Sequence, residues 1–348
     1  MPTILFFISS GLFLGWSVGA KDAANVFGTA VGARMIRFTT AAMICSVFVI
    51  IGAVISGGGA AGTLGKLGSI HTMAGAFTVA MAAGVTLFFM AKWGIPVSTS
   101  QAIVGAIIGW NIFSHISTDY HVLTTIVSTW LICPLLAMIF SIIIFFIAKF
   151  CLANVRINIL RLDSYTRFGL ILAGAFGSYS LGANNIGNVM GVFVSTALFH
   201  DINLGSSVVI TRVDQLFFLG GLAIAVGVFT YSKKVIHTVG TGIYQLSPMA
   251  ALIAVFSSSL VLFLFASQDL HDWLIRYNLP AIPLVPVSSS QAIVGAIFGI
   301  GIAKGGRDLK FSTLGKIGIG WVVTPLMAAL LSYVSLYFVQ NVFLSKVN

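Results

Sequence analysis

The chain has 348 residues, of which 58% are hydrophobic and only 7% are charged, and its mean hydropathy is +1.05. Soluble domains carry about 25% charged residues, so this composition excludes a soluble globular protein and predicts an integral membrane protein. The net charge of +10 is explained by lysines and arginines in cytoplasmic loops, and no nucleic-acid partner is expected.

Long apolar stretches recur along the whole chain and predict ten membrane segments. With the N-terminus outside and one crossing per segment, 13 of the lysines and arginines fall in cytoplasmic loops and 3 fall outside. This bias predicts a multi-pass protein of the cell membrane (the inner membrane in a diderm bacterium) with its N-terminus outside. The predicted segments are roughly 3–33, 38–56, 72–92, 94–113, 122–148, 168–199, 207–231, 239–267, 283–303 and 318–344.

The first segment contains the sequence GAKDAAN at residues 19–25. One straight crossing needs only about 20 residues, and glycine with polar residues at the middle of a longer segment predicts a broken helix. Asp22 needs a cation partner, because a charge at the bilayer centre costs at least about 2.5–3.5 kcal/mol. The structural alternative is a buried ion pair with Lys21, which is disfavoured because adjacent residues of a helix point in different directions.

The fourth segment begins with the sequence IPVSTSQAIVGA at residues 95–106. This order predicts a helix start with proline in the first turn and a serine or threonine cap. Free backbone N–H groups, hydroxyls and a glutamine amide at that start suit an oxyanion, without the desolvation of a buried arginine or lysine. The alternative is ordinary capping with small-residue packing, since Gly105 and Gly109 form a GxxxG spacing.

The second half of the chain repeats these features in the same order. GANNIGN (182–188) matches GAKDAAN, VPVSSSQAIVGA (285–296) matches IPVSTSQAIVGA, and GWVVTPLMA (320–328) matches TWLICPLLA (129–137). Gly295 and Gly299 repeat the GxxxG spacing. The shared order indicates a duplication.

Five crossings per half turn the two halves in opposite directions, an arrangement that transporters use with the site near the midplane. We therefore predict a first inverted repeat at 1–148, a basic cytoplasmic linker at 149–167 and a second inverted repeat at 168–348.

Asp22 and a bound oxyanion would repel each other at close range. Sodium ions between them change the sign of that interaction, and amide, hydroxyl and carbonyl oxygens are suitable ligands for a hard cation. Anion binding is then weak until cations bind, and the reverse holds by linkage. These residues predict a transporter that binds sodium as a co-transported ion, with no organic cofactor.

The four motifs GAKDAAN, GANNIGN, IPVSTSQ and VPVSSSQ resemble those of the PiT family of sodium-coupled inorganic phosphate transporters, over essentially the whole chain. The resemblance implies an all-α polytopic membrane protein with two inverted-topology repeats, broken helices, re-entrant hairpins and about 10–12 membrane segments, which forms a homodimer. By motif, phosphate contacts fall on Thr99, Ser100, Gln101, Ser289, Ser290 and Gln291. Sodium contacts fall on Asp22, Asn25, Ser98, Asn185, Asn188 and Ser288.

Two features depart from the family pattern. Its first signature usually has asparagine where this chain has Lys21, which we expect either to face a vestibule or to stand near a cation site and change the ion stoichiometry. Many relatives also carry a glutamate in the second helix, whereas this chain has no glutamate at all, which argues against proton-coupling schemes that need one.

The preferred function is a secondary active symporter that imports inorganic phosphate with sodium by alternating access. Transport of another tetrahedral oxyanion (sulfate or arsenate) and proton-coupled phosphate transport remain as alternatives. An enzyme is not expected, because no histidine lies at mid-segment opposite the serines. A passive channel is disfavoured by the repeat architecture.

Overall fold

The computed structural model describes residues 2–92, 97–155, 157–196, 199–203, 209–233, 246–306, 311–342, 344 and 346–347. Helices dominate the described chain. Those of the first half are α1 (Pro2–Gly32), α2 (Phe38–Ser56), α3 (Gly58–Leu67), α4 (Met73–Lys92), α5 (Thr99–Phe113) and α6 (Tyr120–Asn154).

The second half begins with α7 (Ile159–Met190), which continues as a 3-10 helix at Gly191–Thr196. A short antiparallel pair follows, in which β1 (Ile202–Asn203) pairs with β2 (Val209–Ile210). The remaining helices are α8 (Arg212–Thr230), α9 (Pro248–Ala266), α10 (Gln268–Arg276), α11 (Ser289–Ala303) and α12 (Phe311–Asn341).

Seven of the described helices are long and apolar enough to cross a membrane, namely α1, α2, α4, α6, α8, α9 and α12. They confirm the prediction of an all-α polytopic membrane protein. Each of the ten predicted segments overlaps one described α-helix. The sequence prediction missed α3, which is rich in glycine, and α10, which is short and fully outside the core.

Helices α5 and α11 are too short to span a bilayer. Each has 15 residues. At 1.5 Å per residue such a helix is about 22 Å long, against about 30 Å for the hydrocarbon core. Residues 279–288, which lead into α11, are not helical, so the apolar segment predicted at 283–303 is part extended chain and part helix. These lengths are those expected of the arms of re-entrant hairpins.

The predicted helix breaks are wrong at both polar motifs. Helix α1 runs unbroken through GAKDAAN, and α7 runs unbroken through GANNIGN and becomes a 3-10 helix only at Gly191. A glycine inside a helix costs only about 1 kcal/mol, which a close helix contact offsets. A Cβ on Gly19 would overlap the carbonyl of Ile224 in α8, and one on Gly182 would overlap the carbonyl of Val49 in α2. These motif glycines therefore serve packing, not unwinding.

The predicted linker at 149–167 is mostly helical. Its first six residues complete α6 and its last nine begin α7, so only residues 155–158 lie between the two helices. The division of the chain into two repeats remains a prediction.

The two halves exchange packing partners. Helix α5 packs on α12, and α11 packs on α6. A Cβ on Gly105 would overlap the backbone of Pro325, and one on Gly295 would overlap the backbone of Pro134. The glycines four residues later make the same kind of contact, so both GxxxG spacings are packing motifs. The same exchange joins α1 to α8 and α7 to α2. The opposite orientation of the halves in the bilayer remains a prediction.

Candidate functional site

Helices α5 and α11 begin inside the protein, each with a capping serine. The Ser98 hydroxyl accepts a hydrogen bond from the backbone N–H of Gln101 (3.4 Å), and the Ser288 hydroxyl accepts one from that of Gln291 (3.2 Å). The predicted capping is therefore confirmed, and it uses one hydroxyl of each cluster. The hydroxyls of the next two residues in each cluster make other contacts.

The prediction that a proline lies in the first turn is wrong for α11. Pro286 lies two residues before the Ser288 cap, in the extended chain that leads to the helix. This position is compatible with the fixed backbone of proline, which favours extended chain at the preceding residue. Pro96, its counterpart before α5, lies outside the described residues.

The two helix starts are joined directly to each other. The Ser100 hydroxyl donates to the carbonyl of Val287 (3.0 Å), and the Ser290 hydroxyl donates to the carbonyl of Val97 (3.4 Å). Each hydroxyl cluster therefore contacts the backbone just ahead of the other cluster. The pairing brings the two copies of the repeated motif into one site.

Asparagines of α1 and α7 connect these helices to the helix start of the opposite half, α11 and α5 respectively. The Asn25 amide donates to Asp22 Oδ1 (3.2 Å) and to the hydroxyls of Ser289 and Ser290 (both 3.3 Å). In the same way, the Asn188 amide donates to Asn185 Oδ1 (3.1 Å) and to the hydroxyl of Ser100 (3.0 Å). The four polar motifs thus form one cluster.

Lys21 and Asp22 form the ion pair that the sequence disfavoured. Lys21 Nζ lies 3.4 Å from Asp22 Oδ1, and it donates to the carbonyl of Val97 (2.7 Å) and the hydroxyl of Thr99 (3.4 Å). Thr99 in turn donates to Asp22 Oδ2 (3.4 Å). Adjacent Cα–Cβ bonds do diverge, but the flexible four-carbon stem of lysine reaches back to the neighbouring carboxylate. The Asp22 side chain is 1% exposed and the Lys21 side chain 17%.

The sequence analysis missed Asn184 as a member of the site. Its amide donates to the carbonyl of Val287 (2.7 Å) and its Oδ1 accepts from the Val287 N–H (2.9 Å). In the repeat alignment Asn184 corresponds to Lys21, which makes the matching bond to Val97. The alignment of the two repeats was the sequence signal that could have identified Asn184 as a site residue.

All twelve predicted site residues lie on the four motifs of this cluster; ten are buried, and Asn25 and Ser290 are half-buried. Several of their polar atoms are buried without a hydrogen-bond partner, at a typical cost of about 1–3 kcal/mol each. Among the described residues, no three His, Cys, Asp or Glu side chains are grouped to hold a metal ion. A cation here would therefore bind oxygens of amides, hydroxyls and carbonyls around Asp22. The unpartnered atoms are Gln101 Oε1, Asn185 Nδ2, Asn188 Oδ1, Gln291 Nε2 and Gln291 Oε1.

The chain is similar over most of its length to proteins that are named as permeases or transporters. A protein of Methanocaldococcus jannaschii with the name "Putative phosphate permease MJ0630" is 24% identical over 92% of this chain and 93% of its own. The "Sulfate permease CysP" of Bacillus subtilis is 29% identical over 96% of this chain and 86% of its own. A solved structure described as "The sodium-dependent phosphate transporter" shares the fold, with a TM-score of 0.77 at 22% identity over 98% of this chain and 100% of that one.

The model of the phosphate transporter family matches residues 18–332 and 281–348, so nearly all of the chain is covered. The matched residues include both polar motifs and both short helices, α5 and α11, of the candidate site. The chain belongs to the phosphate transporter family.

Proposed function

We propose that this protein is a secondary active symporter that imports inorganic phosphate together with sodium by alternating access. The observation that carries the proposal is the convergence of two helix N-termini, one from each half, on a buried polar cluster that contains Asp22. Membership of the phosphate transporter family and the fold shared with a structure described as sodium-dependent support it.

The first turns of α5 and α11 are the proposed phosphate site. Helix N-termini offer free backbone N–H groups and a positive dipole end, and the hydroxyls and amides add neutral donors. In the observed state Asn25 and Asn188 bind these hydroxyls, so an entering anion replaces those bonds with bonds to its own oxygens. The proposed phosphate contacts are Thr99, Ser100, Gln101, Ser289, Ser290 and Gln291.

Sodium is proposed to bind beside this anion site. Amide and hydroxyl oxygens are suitable ligands for a hard cation. Sodium placed between Asp22 and the anion removes their repulsion, which makes the binding of each ion favour the other. The proposed sodium contacts are Asp22, Asn25, Ser98, Asn185, Asn188 and Ser288.

We further propose a homodimer in the cell membrane, and cross-linking in native membranes tests that assembly.

Uptake of labelled phosphate into proteoliposomes tests this function. An inward sodium gradient is expected to drive phosphate accumulation, and replacing sodium with choline is expected to abolish it. Equal uptake in sodium and choline would contradict the coupling, whereas no phosphate uptake in either would contradict the substrate.

Sulfate is the second candidate substrate. The observation in its favour is the 29% identity to a sulfate permease, against 24% for the phosphate permease of M. jannaschii. Phosphate at neutral pH carries a proton to donate and sulfate does not. The buried acceptors Gln101 Oε1, Asn188 Oδ1 and Gln291 Oε1, which have no partner, therefore favour phosphate. Competition of unlabelled sulfate and arsenate with labelled phosphate separates the two; stronger inhibition by sulfate than by unlabelled phosphate would favour sulfate.

Proton-coupled phosphate transport is the remaining alternative. The chain has no glutamate, and Asp22 is engaged by Lys21, Asn25 and Thr99. Phosphate uptake driven by an inward proton gradient in the absence of sodium would support that alternative over sodium coupling.

A further inference from the structure

The surroundings of Lys21 are those of a bound cation. Its ammonium contacts a carbonyl oxygen (Val97, 2.7 Å), a hydroxyl oxygen (Thr99, 3.4 Å) and a carboxylate oxygen (Asp22, 3.4 Å). Hard cations such as sodium take these same kinds of oxygen ligand. A lysine ammonium is a compact charge with three donors, so it fits a site of three oxygens.

Three of the roughly four acceptor positions of the Asp22 carboxylate are occupied in this arrangement. Oδ1 is contacted by Lys21 and Asn25, and Oδ2 accepts from Thr99. The side chain is 1% exposed, so its charge needs a partner inside the protein. A sodium ion at Oδ1 would have to displace the ammonium, whereas Oδ2 keeps one acceptor position for the sodium ion of the proposed function.

The second half of the chain provides an internal comparison. Asn184, at the position equivalent to Lys21, makes the corresponding bond to Val287 at the same 2.7 Å without a charge. Asn185 stands in place of Asp22, and its amide Nδ2 is buried without a partner. The bond to the valine carbonyl therefore does not require a lysine, and the charge of Lys21 has another role.

We propose that Lys21 is a built-in cation that takes the place of one mobile sodium ion beside Asp22. The inference rests on the proposed function for its effect on transport. The ammonium stays with the protein, whereas a sodium ion would cross with the anion. A neutral residue at position 21 is therefore expected to add one sodium ion and one positive charge to each transport cycle.

Equilibrium binding of radioactive sodium to the purified protein tests this proposal without any transport step. Lys21→Asn and Lys21→Gln are expected to bind one more sodium ion per protein than the wild type. Lys21→Arg keeps the charge and is expected to bind the wild-type number. An unchanged sodium count in a folded neutral variant would overturn the proposal.

Folding of the neutral variants is a second readout, because their extra sodium ion should replace the stabilising charge. Their melting temperature is expected to rise with sodium more steeply than that of the wild type. A neutral variant that is folded in sodium but not in choline supports the proposal. Variants that are unfolded in both salts would overturn it, because sodium would then have failed to replace the ammonium.

The outcomes separate this inference from the proposed function. If transport by the wild type does not depend on sodium and a neutral variant binds one more sodium ion, the coupling is overturned and the role of Lys21 as a built-in cation stands. If sodium drives transport by the wild type and neither neutral variant binds an additional sodium ion, the coupling stands and the proposed role of Lys21 is overturned.

Discussion

Asp22 is the only acidic side chain of the candidate site, and its charge is balanced within the protein. Removing one partner of a buried ion pair costs about 3–5 kcal/mol, because the other charge is left without compensation. Asp22→Asn also removes a proposed sodium contact, and a loss of about 1.4 kcal/mol of binding is a factor of ten, so the initial rate of phosphate uptake is expected to fall by at least about tenfold.

The control for Asp22→Asn is Asp163→Asn. Asp163 pairs with Arg167 at the same 3.4 Å, but both side chains are about half exposed. Exposed pairs contribute about 0–1 kcal/mol, so near wild-type uptake is expected. Equal rates for the two variants would contradict a role for Asp22 in the site.

Ser100 and Ser290 hold equivalent places in the two halves. Each hydroxyl is one proposed donor to phosphate, and a hydrogen bond to a charged group is worth about 1.5–3 kcal/mol. Ser100→Ala and Ser290→Ala are each expected to raise the phosphate KM by roughly tenfold to a hundredfold. Ser164→Ala, at an exposed serine bonded to Leu160, is expected to leave KM unchanged. A loss confined to one of the two site variants would contradict a two-sided site.

At the scale of the residue, motif and repeat predicted twelve contacts with phosphate and sodium, and these roles stay predictions. The fold brings these side chains into one cluster, eight at the starts of α5 and α11 and four within α1 and α7. The Lys21–Asp22 pair was missed because sequence spacing reports where Cβ atoms point and not where a long side chain ends. Asn184 was missed because its amide binds the backbone of Val287, a contact that the sequence motif does not indicate.

The places of the ten long apolar segments were well predicted, but α3, α10 and the continuity of α1 and α7 were not. The length of the first apolar segment and its internal glycines predicted a break, but α1 is one unbroken helix of 31 residues. Glycine content alone does not distinguish unwinding from close packing, because the outcome depends on whether another helix passes at that point. The neighbours of Gly19 and Gly182 are distant in sequence.

Packing glycines are expected to tolerate no side chain. Gly19→Ala places a methyl group against the Ile224 carbonyl, and overpacking of this kind costs about 1–3 kcal/mol. The melting temperature of the purified protein is expected to fall by several degrees. Gly62→Ala in α3 meets no atom within 4 Å and is expected to keep or slightly raise it. A lower melting temperature for Gly62→Ala than for Gly19→Ala would contradict this packing.

At the scale of the whole molecule, composition and hydropathy were sufficient to predict the membrane fold. The exchange of partners, α5 with α12 and α11 with α6, was not predictable, because it follows from how two halves dock and not from the pattern within either. The sequence feature related to this docking is the proline that recurs in α6 and α12, against which the glycines of α11 and α5 pack.

Orientation is a prediction at this same scale. The charge bias places the C-terminal end of α6 in the cytoplasm, and the exposed Cys151 lies there. A membrane-impermeant thiol reagent is expected to label Cys151 in inside-out vesicles but not in intact cells. Cys45 and Cys133 are buried, so Cys151→Ser is expected to abolish labelling. Labelling of intact cells would reverse the predicted topology.

The direction of net phosphate flux under opposed gradients tests the symport most directly. Proteoliposomes are given an outward phosphate gradient and a series of inward sodium gradients at zero membrane potential. Symport predicts net phosphate uptake against its own gradient once the sodium gradient passes a fixed value, with reversal below it. Flux that follows the phosphate gradient at every sodium gradient would contradict sodium-coupled symport.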